Sequence, residues 1–272
     1  MTQVLTWEDT LLDYLRTSNE DEQVVNFVSK TILPQLTSRF DKIDWLELGP
    51  GPGTKTQLIL EDIMGSAQAH LRSLRLIEPS VAWCDFIRRN TPEILNTIKI
   101  FEMSFNDYLY SESRLYDKWQ PNFVTCFHVL YEYELIEEFL LYLKHQEQTG
   151  HRLLACIIVE SEHSDFFKLR QKLIHFGQPQ PSPAALQLRS SVSKLGLPAQ
   201  EFEVNSQYFR ISDIYEGLQW LLAFLFGCEK EALTKIPEKV RMEANEIIKQ
   251  FLEKKQNQVL EVPDIAFVFA IG

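Results

Sequence analysis

The sequence predicts an α/β protein built on a doubly wound, mostly parallel sheet of seven strands, with N-terminal helices and a C-terminal accessory region. Three observations lead there. Between residues 43 and 160, short and nearly continuous apolar runs alternate with helical stretches, the pattern of strands buried on both faces. The first of these runs ends in a cluster of glycines. The length, 272 residues, suits one large α/β domain with a smaller appended region.

Residues 7–40 carry Leu11, Leu12, Tyr14 and Leu15, then Val24, Val25, Phe27, Val28 and Ile32, at helical spacing. Ser18-Asn19-Glu20-Asp21 breaks the pattern and is suited to cap a second helix, which Pro34 is expected to interrupt near its end. Strands are expected at Ile43–Leu48, Leu74–Ile77, Ile98–Phe101, Phe123–Phe127 and Leu153–Val159, with helices at Gln57–Met64, Val81–Asn90 and Leu135–His145 between them. The Pro- and Gln-rich segment Gln178–Pro183 reads as a loop. After it come a helix at Leu186–Leu195 stopped by Gly196, a strand at Glu201–Phe209, an apolar helix around Ile214–Phe226 and a charged helix at Pro237–Lys255. The closing strand, Ile265–Ile271, is expected to join the sheet antiparallel. The organisation is thus an N-terminal helical cap over residues 1–40, a ligand-binding core over 41–160, an accessory substrate region over 161–264 and the final strand at 265–272.

Charge and composition remove several classes of function. Twenty-seven basic against 38 acidic side chains give a net charge of −11, the wrong sign for a nucleic-acid-binding surface. The longest apolar segment, Leu218–Cys228, falls short of the roughly 20 residues a membrane helix needs. The N-terminus has no apolar run flanked by basic residues, so no secretory signal is expected. Four widely spaced cysteines form no CxxC pair, and Cys126 and Cys156 lie in apolar runs as small hydrophobes. A reduced, cytoplasmic protein without structural metal is expected, monomeric or a weak homodimer, with a small molecule as its partner.

The chemistry is carried by Glu47-Leu48-Gly49-Pro50-Gly51-Pro52-Gly53-Thr54, between a strand and a helix. Glycines at 49, 51 and 53 allow positive φ and close approach of a ligand to the backbone, and the helix that follows aims its first N–H groups at it. No Gly-Lys-Ser/Thr closes the motif, so it is not a phosphate-cradling loop. The prolines remove two donors that a pyrophosphate would use. A ligand with an amino-acid head and a nucleoside, but no phosphate, fits better.

This E-x-G-x-G-x-G pattern resembles the first motif of class I S-adenosylmethionine-dependent methyltransferases. Glu78, at the end of the next strand, matches that family's second element, a carboxylate that accepts from both ribose hydroxyls. Ile77-Glu78-Pro79-Ser80, the Phe123 to Tyr131 segment and the C-terminal half narrow the likeness to histamine N-methyltransferases, over nearly the whole chain. The resemblance implies a Rossmann-like methyltransferase sheet, S-adenosylmethionine as cofactor and methylation of a nitrogen on a small amine.

Carried over by position, Glu47, Gly49, Gly51 and Gly53 form the cofactor loop, and Glu78 and Ser80 serve the ribose and adenine side. Ser104 is placed at the adenine and Phe127 against its ring. His128 stands where the family has a substrate-binding glutamine, and Tyr131 matches an aromatic wall. Glu20 or Asp21 is the acidic group that would meet the amine. The family's C-terminal asparagine is unmatched; Asp264 stands there. Tyr14 and Phe167 are placed in the acceptor pocket, since such pockets are mostly apolar. The catalytic set is therefore His128, Glu20 and Asp21, with His128 or a carboxylate receiving a proton near neutral pH. The alternative for His128 is a buried histidine bonded to backbone. Its place after the fourth strand, where a doubly wound sheet faces its crevice, favours the pocket. No residues with metal-ligand spacing stand out, so no metal is assigned. A small-molecule O- or carboxyl-methyltransferase, or a cofactor-binding protein without turnover, is the alternative function.

Overall fold

Along the strands, neighbouring side chains point to opposite faces and both sets are buried, which is why the apolar runs are so continuous. A computed structural model of the chain describes residues 7–66, 70–90, 97–115, 119–130, 133–176, 184–208, 221–223, 225, 230–255 and 259–272. Helices α1 (Trp7–Thr17), α2 (Glu20–Phe27) and α3 (Leu33–Arg39) come first. Then follow β1 (Lys42–Leu48), α4 (Thr54–Gly65), β2 (His70–Ile77), α5 (Val81–Asn90), β3 (Ile98–Phe101) and α6 (Phe105–Leu115). β4 (Phe123–Phe127), α7 (Tyr133–Gln148), β5 (Leu153–Glu160) and α8 (Asp165–Leu173) continue the alternation. The chain closes with α9 (Ala184–Leu195), β6 (Ala199–Tyr208), α10 (Glu238–Glu253) and β7 (Leu260–Ile271).

The strands form one seven-stranded sheet in the order β3-β2-β1-β4-β5-β7-β6. β1 pairs in parallel with β2 and β4, β2 with β3, and β4 with β5. β7 runs against β5. Its Pro263 carbonyl accepts from Ser161 N–H just beyond the end of β5, while a Cβ on Gly272 would fall 3.0 Å from the Cα of Arg152 before its start. The sheet is thus mostly parallel and doubly wound with an antiparallel closing strand, as expected. The strand order reverses between β1 and β4, whose following helices α4 and α7 pack on opposite faces of the sheet, and the carboxyl end of such a switch point is where open α/β sheets take their ligands.

Two compact units divide the chain. One comprises Met1–Gln23, Glu160–Pro183 and Asn205–Asp264; the other Val24–Val159, Ala184–Val204 and Ile265–Gly272. These boundaries differ from the four-part division expected from sequence, because Val24, Val28, Ile32 and Leu36 pack with the sheet strands and α9 packs there too.

In the second unit, Leu46, Leu48, Val124, Cys126, Ile157 and Phe269 pack beside Phe139, Leu140 and Leu188 on one face of the sheet. Ile43, Trp45, Phe123, Phe127 and Ile158 pack beside Val24, Ile59 and Ile87 on the other. Cys84, Cys126 and Cys156 are free and buried, and burial pushes the Cys126 and Cys156 thiols well above their usual range. Cys228 lies outside the described residues.

In the first unit, Tyr14, Phe166 and Tyr208 pack together, the two tyrosine rings 6° from parallel with centroids 6.0 Å apart. The polar break after α1 is held by β6. Asn19 N–H donates to Gln207 O (3.0 Å), and Asn19 Oδ1 accepts from Gln207 N–H (2.6 Å). Its side chain thus serves the strand while its carbonyl accepts from Gln23 N–H (2.9 Å), so the break does open the second helix.

Pro34 does not end the N-terminal helical run. The chain widens into a π-helical turn at Val28–Ile32, and Pro34 falls in the first turn of α3, where its missing N–H costs nothing. Helices α6 and α8 were not expected, and most of the apolar helix expected around Ile214–Phe226 lies outside the described residues. No described helix is long and apolar enough to cross a membrane.

Candidate cofactor site

The glycine motif follows β1 directly, at the carboxyl edge of the sheet. Gly49, Gly51 and Gly53 all take left-handed backbone, with φ of +60°, +56° and +78°, which side chains strongly disfavour. Their surroundings differ. A Cβ on Gly49 would fall 2.3 Å from Val129 Cγ2, and one on Gly53 3.0 Å from Ile87 Cγ1. A Cβ on Gly51 would meet nothing within 4 Å. The outer two glycines are therefore required by protein packing, whereas the middle one faces open space. Gly53 also serves as the N-cap of α4, its carbonyl accepting from Gln57 N–H (2.9 Å).

Glu78 leaves β2 beside this loop and is buried. Its Oε2 accepts from Gly51 N–H (3.1 Å) and its Oε1 from Ser80 N–H (2.9 Å). Ser80 Oγ in turn accepts from Trp83 N–H (3.3 Å) in the first turn of α5. The expected ribose carboxylate and the glycine loop thus stand in direct contact.

Glu47, last but one in β1, is 2% exposed. Burial pushes its carboxyl up from the ordinary 4.5 to about 7, with the Thr56 hydroxyl and the Lys55 charge drawing it partly back. Thr56 Oγ1 lies near but outside hydrogen-bond geometry, and among the described residues neither it nor Glu47 Oε2 has a hydrogen-bond partner.

After β4, His128 is the one described non-glycine residue with left-handed backbone, at φ +56°. Its N–H donates to Ile158 O (2.8 Å), extending the β4–β5 ladder by one step, and its Nε2 is shielded from solvent. Strained backbone of this kind is stored where the surroundings impose it, often at functional sites. The turn carries Val129 onto Gly49, a contact with no signature in the local sequence. Tyr131 lies outside the described residues.

The remaining expected residues divide by surroundings. Phe127 is 4% exposed, in the layer with Trp45, Phe123 and Ile158. Ser104 caps α6: its hydroxyl accepts from Asp107 N–H (3.1 Å) and donates to Asp107 Oδ2 (2.6 Å). Tyr14, Glu20, Asp21, Phe167 and Asp264 belong to the first unit. There Tyr14 Oη donates to the buried Glu20 Oε2 (2.7 Å), and Ser206 Oγ donates to the buried Asp264 Oδ2 (3.2 Å). Phe167 is buried in the first turn of α8, whose N-cap is Ser164.

No family model and no curated protein sequence matches the chain. Solved structures do. A cyclopropane-fatty-acyl-phospholipid synthase-like protein from Lactobacillus casei aligns with a TM-score of 0.56 at 8% identity, over 92% of this chain and 92% of that one. The YcgJ protein from Bacillus subtilis aligns with a TM-score of 0.52 at 10% identity, over 90% of this chain and 99% of that one. What they share with this chain is the fold. It is the Rossmann-like, mostly parallel seven-stranded sheet that the motif resemblance implies.

Proposed function

We propose that the chain is a class I S-adenosylmethionine-dependent methyltransferase acting on a nitrogen of a small amine or amino acid, aromatic or imidazole-bearing. One observation carries the cofactor half of this reading. The middle glycine of the loop faces open space while its N–H rests on the carboxylate of Glu78, so a nucleoside laid along the loop would meet bare backbone and a hydroxyl acceptor together. The loop suits a ligand without phosphate, because Pro50 and Pro52 offer no N–H and the Glu78 carboxylate sits on the loop's middle glycine.

When bound, S-adenosylmethionine supplies an electrophilic methyl group on a sulfonium. The chain's own residues hold and orient it. Gly51 admits it to the backbone with Gly49 and Gly53 shaping the loop on either side, Glu78 accepts from the ribose, and Glu47 offers a buried carboxylate beside the loop for its ammonium group. Ser80, Ser104 and Phe127 belong to the ribose and adenine side. On the acceptor side, Glu20 or Asp21 attracts the cationic amine, Tyr14, Tyr131 and Phe167 supply apolar walls, and Asp264 stands for a polar contact. His128 orients the nitrogen or takes its proton, which must leave before attack. The acceptor is the only partner in this reading, and the protein acts as a monomer or weak homodimer in the cytoplasm.

The test is methyl transfer from isotopically labelled cofactor to a panel of amines, phenols and carboxylic acids. Label on amines alone is the expected result. Label on phenols or acids instead would move the assignment to O- or carboxyl-methylation, and binding of S-adenosylhomocysteine without any transfer would leave a cofactor-binding protein.

A further inference from the structure

The glycine loop has few N–H groups to offer. Pro50 and Pro52 carry none, so from Gly49 to Gly53 only the three glycines do. Gly49 N–H donates to Ile77 O (2.8 Å) and Gly53 N–H closes a turn on Pro50 O (3.0 Å). Those two are fixed by main chain. The third, on Gly51, is held by a side chain: Glu78 Oε2, at 3.1 Å. The other oxygen of the same carboxylate holds Ser80 N–H (2.9 Å), and Glu78's own N–H donates to Phe101 O (3.0 Å). The carboxylate therefore starts from a residue tied to β3 and ends on two separate backbone segments.

Gly51 is also the residue with least to fix it. It has no side chain, no neighbouring group where a Cβ would lie, and a φ of +56° that competes with many other glycine conformations. A charge-assisted hydrogen bond is the strongest single contact available to hold it.

We propose that Glu78 is a positioning residue for the glycine loop, setting the conformation at Gly51 before any ligand arrives, in addition to the ribose contact of the function proposed above, on which only that second role rests. The two roles are compatible. Each carboxylate oxygen has two lone pairs, so a bond to one backbone N–H does not by itself exhaust either oxygen as an acceptor. The ligand then meets a loop already ordered by the group that will bind its ribose, and the entropy of ordering it does not oppose binding.

Amide hydrogen exchange of the ligand-free protein, read by NMR at Gly51 and Ser80, tests the positioning role without any cofactor. In Glu78→Ala both amides should exchange at least tenfold faster than in wild type, while the Trp45 amide inside β1 keeps its protection. Unchanged exchange at both amides would overturn the proposal. Should the alanine variant fail to fold, Glu78→Gln decides: the two N–H groups rest on different oxygens and the NH2 group that replaces one of them cannot accept, so at least one amide must lose protection, and wild-type protection at both is again fatal. A second arm compares S-adenosylhomocysteine with its 2′,3′-dideoxy analogue. A residue that served the ribose alone would leave the analogue's affinity unchanged in Glu78→Ala; a positioning residue should weaken it at least fivefold. If wild type binds neither compound, the methyltransferase reading fails while the exchange data still decide the role of Glu78 in the loop.

Discussion

Gly51 and Glu47 lie within a few residues of each other at the carboxyl edge of β1, and each is shaped by what its surroundings lack. At Gly51 the missing thing is a neighbour. Replacement by valine places a β-branched side chain at a left-handed φ, a cost of about 1–2 kcal/mol in a loop, and projects it into the space that the ligand would occupy. The ligand-free melting temperature should fall by a few degrees; S-adenosylhomocysteine should raise that of wild type, and the rise should vanish in the variant. Scanning calorimetry with and without ligand measures both. At Glu47 the missing thing is a hydrogen-bond partner, among the described residues, for one buried carboxylate oxygen, Oε2. With its pKa raised to about 7, the folded protein keeps a proton there that the unfolded chain releases near 4.5. Stability must therefore fall as pH rises between those values, by about 3 kcal/mol from this one group at an energy of about 1.36 kcal/mol per pKa unit. Glu47→Gln keeps the shape and removes the titration. Denaturant melts from pH 4 to 8 should show a flatter stability profile for the variant and a more stable variant at pH 8; parallel profiles would mean that Glu47 is charged in the folded state after all.

Among the elements, α6 shows what sequence patterning leaves out. Its residues, Phe105–Leu115, are half polar, and its apolar stripe of Phe105, Tyr108 and Leu109 is short, covering little more than one turn. The start signal is the pair Ser104, just before the helix, and Asp107, in its first turn: the serine hydroxyl accepts from Asp107 N–H and donates to the Asp107 carboxylate. Ser104→Ala should thus cost about 1 kcal/mol of stability. The hydroxyl already gives its one proton to Asp107, so a contact to adenine falls to the main chain at this position. Titration calorimetry should find cofactor affinity within twofold of wild type, and a tenfold loss would return the hydroxyl to the ligand. The strands were legible for the opposite reason. Burial on both faces leaves β4 and β5 almost without polar residues, and the buried exceptions pair inside the sheet or stand at its carboxyl edge: Asp44 accepts from Arg72 and Ser73, Trp45 Nε1 donates to Thr125 Oγ1 (2.7 Å), and Glu47 stands beside the glycine loop. The glycine loop was legible because its backbone needs a residue type found for no other reason at that spacing. Contacts between distant segments were not. Nothing near residue 129 announces that its side chain covers Gly49, and nothing near Pro34 announces that a widened turn carries the helix past it.

For the molecule as a whole, the residues proposed for the cofactor and most of those proposed for the acceptor belong to different compact units, so their effects should separate. A net charge of −11 raises the local concentration of cations around the protein, which suits a positively charged acceptor but selects no particular one. Selection falls to specific carboxylates. Glu20 is buried at the acidic first turn of α2 beside Asp21, with one oxygen on the hydroxyl of Tyr14, whose ring stacks on Tyr208. Glu20→Gln retains an oxygen for the Tyr14 hydroxyl, and Asp21→Asn retains the shape of its side chain, so the double variant removes charge with little loss of packing. Its KM for the amine should rise about tenfold or more, corresponding to at least 1.4 kcal/mol of lost uniform binding, with kcat and the affinity for S-adenosylhomocysteine held near wild type. His128→Ala should do the reverse, lowering kcat more than it changes KM, with the rate of wild type climbing with pH until the group that must be deprotonated has lost its proton. A phenol or carboxylate acceptor has no cation for the acidic pair to attract. If the doubly neutralised protein methylates its acceptor with an unchanged KM, the amine is the wrong substrate class and O- or carboxyl-methylation takes its place.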